Sequence, residues 1–146
     1  MDAKHINLYV DDRPGEGVFR VHPSVYSDPE LFELEIKYIF ERTWGFLAID
    51  SQLPKINNFI TTKLARTPVL VTRNTSNEIK AFINACRHKG ATVARVGEGN
   101  ARYHVCPYHG WAYDSSGKNV DIKDRKAGCY APAFDAENHD LIPLPK

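Results

Sequence analysis

The sequence predicts a mainly β fold, an antiparallel sandwich or small barrel, with one helix before it. Short runs rich in β-branched residues recur from residue 45 onward, separated by turns rich in Gly, Asn and Ser. The runs 59–64, 68–73 and 79–84 predict a meander that contains a hairpin. Several short strands at such spacing are typical of antiparallel β proteins.

The helix is predicted over residues 28–41. Ser27 can cap its first turn, Glu30 follows three residues later, and Pro29 is tolerated at the start of a helix. Apolar side chains then recur at helical spacing, and we expect this stripe to pack in a core rather than contact a cofactor. The stripe consists of Phe32, Ile36, Ile39 and Phe40.

Further short strands are predicted at 45–49, 101–105 and 111–114, with turns at 97–100 and 115–118. Residues 1–22 are expected to form an irregular arm, and the chain is expected to be irregular again from about 122. The predicted organisation is therefore an N-terminal arm and helix, 1–41, followed by a β domain, 42–146.

Composition limits the functions that the chain can have. Its 146 residues, 42% of them hydrophobic, are enough for one core, and a net charge of +1 gives no reason to expect nucleic acid or an anionic membrane as a partner. No apolar run is long enough to span a membrane, and no secretory signal is visible. The odd count of three cysteines favours a reducing compartment, the cytoplasm, and a metal or catalytic role.

Two boxes in the sequence carry metal-binding chemistry. They read Cys-Arg-His-Lys-Gly at 86–90 and Cys-Pro-Tyr-His-Gly-Trp at 106–111. Each box follows a predicted strand and supplies one thiol and one imidazole, from Cys86 and His88 and from Cys106 and His109. Two facing loops with such ligands predict a metal site formed by these four residues.

Two kinds of metal site remain open from the spacing alone. Structural zinc accepts two Cys and two His, but its usual motif pairs the cysteines first and the histidines later. Here each box mixes the two ligand types, which favours a two-iron cluster with two Cys on one iron and two His on the other.

The two boxes resemble those of the Rieske domain in the α (large) subunit of aromatic-ring-hydroxylating dioxygenases. The flank at 25–44 is also similar, with Asp-Pro-Glu at 28–30, Phe-Glu at 40–41 and Trp44, so that the resemblance covers about 23–146. It implies an antiparallel Rieske-type β-sandwich with a cluster-binding subdomain. It also implies a [2Fe–2S] cluster with Cys86 and Cys106 on one iron and His88 and His109 on the other.

The resemblance further implies an oxidoreductase component that takes part in electron transfer. Electrons derived from NAD(P)H would arrive from a ferredoxin or reductase and pass to a mononuclear iron that uses O₂ to dihydroxylate an aromatic compound. The partner would be the catalytic domain of a neighbouring α subunit in a trimeric assembly, with or without β subunits. In this family the second-box histidine contacts an aspartate of the neighbouring subunit, so His109 is the expected exit for electrons.

Charge counting agrees with mixed ligation. Two ferric ions, two sulfides and two thiolates sum to zero, whereas four thiolates would leave a dianion, so neutral His ligands raise the reduction potential towards about −150 mV or above. Respiratory Rieske proteins differ: they carry an extra disulfide-forming cysteine in each loop, where this chain has Ala91 and Tyr108. They also place a serine where this chain has Trp111, so a respiratory subunit is not expected.

The catalytic domain of the family is not found in the sequence. Its motif, an acidic residue, two residues, His, four residues and His, has no match: His104 and His109 have the spacing, but Ala101 stands at the acidic position. Mononuclear Fe(II) is thus expected only in a missing domain, and we interpret the chain as an N-terminal fragment. The alternative is a stand-alone Rieske-type ferredoxin. An acid resembling benzoate or anthranilate is the substrate suggested by family analogy alone.

Other residues near the boxes have two interpretations each. Gly90 and Gly110 are expected to let backbone amides approach the cluster, and Arg87 and Lys89 either dock an acidic donor or are solvated loop charges. Packing over the cluster and ordinary core packing are equally expected for Trp111 and Tyr113. No ligand role is expected for Cys129, His104 or His139. His104 is expected to point away from the second box.

Overall fold

The structure, a computed structural model, describes residues 9–128 and 130–145. Cys129, for which a plain thiol was expected, lies outside the described residues. The chain divides into two units, one ending at Gly45 and one beginning at Phe46. The mainly antiparallel β fold is confirmed by the elements: β1 (Val10–Arg13), β2 (Val18–Val21), α1 (Pro29–Glu35), β3 (Asn58–Leu64), β4 (Thr67–Arg73), β5 (Ile79–Ile83), β6 (Glu98–Asn100), β7 (Tyr103–Val105), β8 (Ala112–Asp114), β9 (Asn119–Asp121) and α2 (Pro132–Asp135).

The N-terminal unit contains a hairpin where an irregular arm was predicted. Strands β1 and β2 pair antiparallel, with Val10 opposite Val21 and Arg13 opposite Val18. A 3₁₀ turn at Pro14–Glu16 joins them. Pro14 and Gly17, which suggested a loop, therefore belong to the turn of a hairpin. The prediction of an irregular arm was wrong for residues 10–21.

The predicted helix is present as α1, but it is shorter than expected and begins at a different cap. Asp28, not Ser27, is the N-cap: its Oδ1 accepts from the amides of Glu30 at 2.8 Å and Leu31 at 3.2 Å. This arrangement puts Pro29 at the first helical position, where its missing N–H is not needed. The α-helix ends after seven residues, at Glu35, and a π-helical turn at Ile36–Phe40 follows.

The second unit contains two antiparallel sheets, with strand orders β5-β4-β3-β6 and β7-β8-β9. Residues 45–49, predicted as a strand, have no assigned secondary structure, and no strand pairing in the described chain includes them. The predicted turn at 97–100 instead supplies β6, in which Gly99 pairs with Phe59 of β3. After α2 the chain returns to the first sheet, where Pro143 bridges Phe82 at the edge strand β5.

Both faces of the four-stranded sheet are covered. Val69 and Val71 of β4 pack with Leu53 on one face, while Leu70 points to the other. On that second face it joins the cluster that contains Cys86, Cys106, Trp111 and Tyr113, so the metal-binding boxes lie against the larger core. In the parts of the chain that the structure describes, no helix has the length and apolarity needed to cross a membrane.

Candidate metal centre

The two boxes form loops with the same hydrogen-bonded geometry. In loop 1, residues 86–91, the Cys86 amide donates to Ala91 O at 2.8 Å and the Gly90 amide donates to Cys86 O at 2.8 Å. In loop 2, residues 106–111, the corresponding distances are 2.7 Å from the Cys106 amide to Trp111 O and 2.9 Å from the Gly110 amide to Cys106 O. Loop 1 follows β5, and loop 2 connects β7 to β8. Each thiol is therefore held at the start of an equivalent turn.

A glycine closes each turn for a conformational reason. Gly90 has φ of 72° and Gly110 has φ of 73°, a left-handed conformation that other residues adopt only with strain. The amides of these glycines are bonded to the cysteine carbonyls, so they are not the groups that approach a cluster. Instead, the backbone amide of His88 is hydrogen-bonded to the Cys86 thiol.

His88 and His109 are brought together by the two loops. Their ring centroids are 4.6 Å apart, and their planes are inclined by 73°. In each ring Nδ1 is buried and has no hydrogen-bond partner. A buried imidazole nitrogen without a partner is costly unless something binds it, so two such atoms on neighbouring rings fit metal ligation through Nδ1. Burial, followed by the charges of His109 and Lys89, lowers the pKa of His88, which favours the neutral imidazole that a metal needs.

The two thiols are equally enclosed. Cys86 and Cys106 are free cysteines, and both are buried in the larger core. Burial raises the pKa of the Cys86 thiol, and the neighbouring Cys106 adds to this effect, while hydrogen bonds from the Tyr113 hydroxyl and the His88 amide oppose it. Two thiols and two Nδ1 atoms match the donor set of a Rieske [2Fe–2S] centre, in which the sulfurs are bound as thiolates.

The four donors pair by type: the His88 and His109 rings are neighbours, and Cys86 lies beside Cys106. Within residues 9–128 and 130–145, no three side chains of His, Cys, Asp or Glu surround a common point. A closed zinc site places four ligands around one ion. This pairing of imidazole with imidazole and thiol with thiol fits a cluster that spreads its ligands over two metals.

An aromatic layer supports His88 from behind. The Trp111 indole lies parallel to the His88 ring, with centroids 4.9 Å apart and planes inclined by 11°. The rings of Phe134 and His139 also pack edge to face against the indole, with centroid distances of 5.9 Å and 5.3 Å. His139 Nε2 lies 2.8 Å from the backbone oxygen of Phe134. Trp111 thus packs both on the ring of a candidate ligand and in the core, and His139 has a packing role that the sequence did not reveal.

Asn84 is a further residue of the site that the sequence did not single out. Its side-chain oxygen accepts from the amides of Val93 and Ala94, at 3.2 Å and 3.0 Å, and its amide nitrogen donates to Ala94 O at 2.8 Å. This buried amide ties the start of loop 1 to the segment that leaves it. Its position two residues before the first cysteine is the only sequence signal that could have pointed to it.

His104 does not join the site, in agreement with the prediction. It is buried on β7, where its ring meets that of Phe59 edge to face at 4.9 Å, and burial lowers its pKa. Its Nε2 is buried and unpartnered as well.

The rim of the two loops is basic. Arg87 and Lys89 are exposed on loop 1, and the stem of Lys123 lies over loop 2, with its Cβ 3.3 Å from the place a Cβ would occupy at Gly110. Neither loop contains an acidic residue. The exposed surface beside the histidines therefore carries positive charge.

Comparison with known proteins agrees with this donor set. Residues 43–135 match the Rieske [2Fe-2S] domain family. Over 138 residues the chain is 43% identical to toluate 1,2-dioxygenase subunit alpha of Pseudomonas putida, covering 94% of this chain and 30% of that protein. Over 132 residues it is 40% identical to the anthranilate 1,2-dioxygenase large subunit of Acinetobacter baylyi, covering 90% of this chain and 28% of that protein.

A solved structure gives the same result for the fold. Naphthalene 1,2-dioxygenase from Rhodococcus sp., bound to indole, superposes with a TM-score of 0.74 at 32% identity, covering 86% of this chain and 28% of that chain. The chain thus spans less than a third of the length of each of these three relatives.

Proposed function

Because the chain belongs to the Rieske [2Fe-2S] domain family, we propose that it is the electron-transfer domain of an aromatic-ring-hydroxylating dioxygenase α subunit. Cys86 and Cys106 hold one iron of the cluster, and His88 and His109 hold the other. The observation that carries this proposal is the pair of buried, unpartnered Nδ1 atoms on rings 4.6 Å apart. When bound, the cluster supplies reversible one-electron chemistry.

The chain's own residues provide the surroundings for this chemistry. The core around the two cysteines excludes water, and the Trp111 indole holds the plane of the His88 ring. His88 and His109 are only half-buried as residues although their Nδ1 atoms are enclosed, so part of each residue remains accessible. We expect partners to reach the site on this side.

The electron donor, a ferredoxin or reductase, is proposed to present an acidic surface to the basic rim. Arg87, Lys89 and Lys123 would attract it over distances limited by salt screening. The Arg87→Glu and Lys89→Glu variants should each slow reduction by such a donor at low salt, with the difference shrinking at high salt. Lys118→Glu is the matched control, because Lys118 is exposed at the opposite end of β8 from loop 2.

On the other side of the reaction, we propose that electrons leave through His109 to the catalytic domain of a neighbouring α subunit, in a trimer with or without β subunits. The mononuclear Fe(II) would belong to that domain. The exposed Tyr108 ring, 3.8 Å from the His109 ring between centroids, is available for this contact. The names of the two relatives support an aromatic acid as substrate, and two free buried thiols agree with a reducing cytoplasm.

A chimaera tests this function against that of a stand-alone Rieske-type ferredoxin. Residues 1–146 replace the corresponding segment of the toluate dioxygenase α subunit, and diol formation is measured with its own reductase. We expect turnover to be retained, because the match extends beyond the Rieske family region to 94% of this chain. An inactive chimaera, combined with a free chain that passes electrons to an intact oxygenase, would instead identify a ferredoxin.

A further inference from the structure

Loops 1 and 2 are closed in different ways. Loop 2 lies between β7 and β8, which pair antiparallel, with Val105 opposite Ala112. This ladder holds the two ends of loop 2 together. Loop 1 follows β5, and residues 91–97, which lead away from it, belong to no strand or helix. In the described chain no strand ladder closes loop 1, so its two ends need another connection.

The side chain of Asn84 supplies this connection. Its Oδ1 accepts from the amides of Val93 and Ala94, and its Nδ2 donates to Ala94 O at 2.8 Å. Because backbone amides only donate and backbone carbonyls only accept, these partners fix the orientation of the side-chain amide. The backbone of Asn84 is held in turn by β4, since its amide donates to Pro68 O at 2.8 Å. Asn84 therefore fastens the segment after loop 1 to the four-stranded sheet.

The connection is enclosed in the core. Asn84 is 2% exposed, and Val93 and Ala94 belong to the same buried cluster as Cys86. Without the Asn84 side chain, two amides and one carbonyl would lose this partner in a buried place, which is more costly than the loss of exposed hydrogen bonds. Opening of loop 1 would give these groups access to water. It would also displace Cys86 and His88, which lie between positions 84 and 94.

We propose that Asn84 is a positioning residue of the metal centre, which keeps loop 1 closed so that Cys86 and His88 stay beside the donors of loop 2. This inference rests on the proposed function, because it takes Cys86 and His88 as iron ligands. The donors of loop 2 depend on the β7–β8 ladder and do not need Asn84. The two halves of the site thus have separate supports, a side chain for loop 1 and a strand ladder for loop 2.

Asn84→Ala tests this inference, with Asn74→Ala as the matched control. Asn74 is likewise buried, and its Oδ1 accepts from the amides of Ser76 at 3.0 Å and Glu78 at 2.9 Å, in the turn between β4 and β5. Both variants remove a buried side-chain amide that closes a turn. Only Asn84→Ala removes the one that closes loop 1.

Hydrogen exchange by mass spectrometry and release of the cluster to a chelator are measured on full, cluster-loaded chains. We expect Asn84→Ala to raise exchange in residues 84–94, and the rate of cluster release, by about tenfold or more, because several buried hydrogen bonds are lost. Exchange in residues 103–111 should change far less. Asn74→Ala should raise exchange only around residues 74–78 and leave cluster release unchanged. Equal release rates in the two variants, or equal effects on the two loops, overturn the proposal.

A spectroscopic measurement separates positioning from general stability. Pulsed EPR of the reduced cluster in Asn84→Ala should show a changed coupling to the imidazole nitrogen of His88 and an unchanged coupling to that of His109. Two unchanged couplings overturn the inference about Asn84.

The wild-type chain covers the case in which Asn84→Ala retains no cluster. Its Val93 and Ala94 amides should exchange as slowly as those of β4, although they lie in no strand. Fast exchange of these two amides overturns the inference about Asn84 alone, whereas a wild-type chain that binds zinc overturns the proposed function as well.

Discussion

The indole of Trp111 and the imidazole of His88 lie face to face, 4.9 Å apart between centroids, although the two residues belong to different loops. Trp111 is 3% exposed, and its indole also contacts the rings of Phe134 and His139. It therefore connects a proposed iron ligand to the C-terminal segment of the domain.

Removal of this contact should destabilise the domain and release the cluster. Trp111→Ala is expected to lower the free energy of unfolding by about 3–5 kcal/mol, the usual loss for a buried Trp. Trp44, which is 79% exposed in the N-terminal unit, provides the matched control. Trp44→Ala should change the free energy by about 0.5 kcal/mol or less. Urea denaturation and visible absorbance measure the two effects, and equal behaviour of the two variants would refute the supporting role of Trp111.

The two loop glycines should differ in their tolerance of alanine. Both have positive φ, so Gly90→Ala and Gly110→Ala should each cost about 1–2 kcal/mol. A Cβ at Gly90 would meet nothing within 4 Å, whereas one at Gly110 would lie 3.2 Å from Lys123 Cδ. Gly110→Ala should therefore be the more destabilising change in thermal unfolding. Lys123→Ala in the same chain should recover part of that difference, and a larger loss at Gly90 would contradict this explanation.

Exchange of a histidine ligand for cysteine should lower the reduction potential. His88→Cys or His109→Cys adds one negative charge to the site, which moves the potential towards the value of about −400 mV found for plant-type four-cysteine clusters. The same change at His22, which is exposed in the N-terminal unit, should have no effect. Redox titration measures the shift. A variant that retains its cluster at the original potential would argue against the charge explanation.

The chain by itself should accept an electron but oxygenate nothing. Oxygen activation at a mononuclear iron needs two His and one carboxylate with open positions. In residues 9–128 and 130–145 no such group surrounds a common point. With a donor, Fe(II), O₂ and aromatic acids, product analysis should find reduction without diol. Stoichiometric diol would reveal a second iron site, for which His104, His139 and Asp140 are the candidates.

The strands that could be predicted from the sequence are those whose own residues favour an extended backbone. Strands β3, β4 and β5 are β-branched and long enough to be read locally, and the ligand candidates follow from the spacing of Cys and His. Strand β6 was missed because Gly-Glu-Gly-Asn at 97–100 is turn chemistry. It is a strand through its pairing with β3, in which Gly99 lies opposite Phe59 and a Cβ at Gly99 would lie 2.9 Å from Phe59 Cε1.

The parts of the site that depend on distant packing could not be read. The Tyr113 hydroxyl reaches Cys86 across 27 residues, and the stacking of Trp111 on His88 requires both loops to be folded. For Trp111 and Tyr113 the sequence left packing over the cluster and ordinary core packing equally expected, without indicating which atoms their side chains meet. One local signal was present: the cysteine of each box is followed four residues later by a glycine, which marks the equivalent turns of loops 1 and 2.

The central claim is that Cys86, Cys106, His88 and His109 together hold a [2Fe–2S] cluster, and the EPR spectrum of the anaerobically reduced chain tests it most directly. We predict one spin per chain with the low average g value of mixed Cys and His ligation, together with two irons and two sulfides. Pulsed EPR should detect two imidazole nitrogens, and each should be lost in turn from His88→Cys and His109→Cys. A chain that carries one zinc ion, no visible absorption and no EPR signal after reduction would contradict the account.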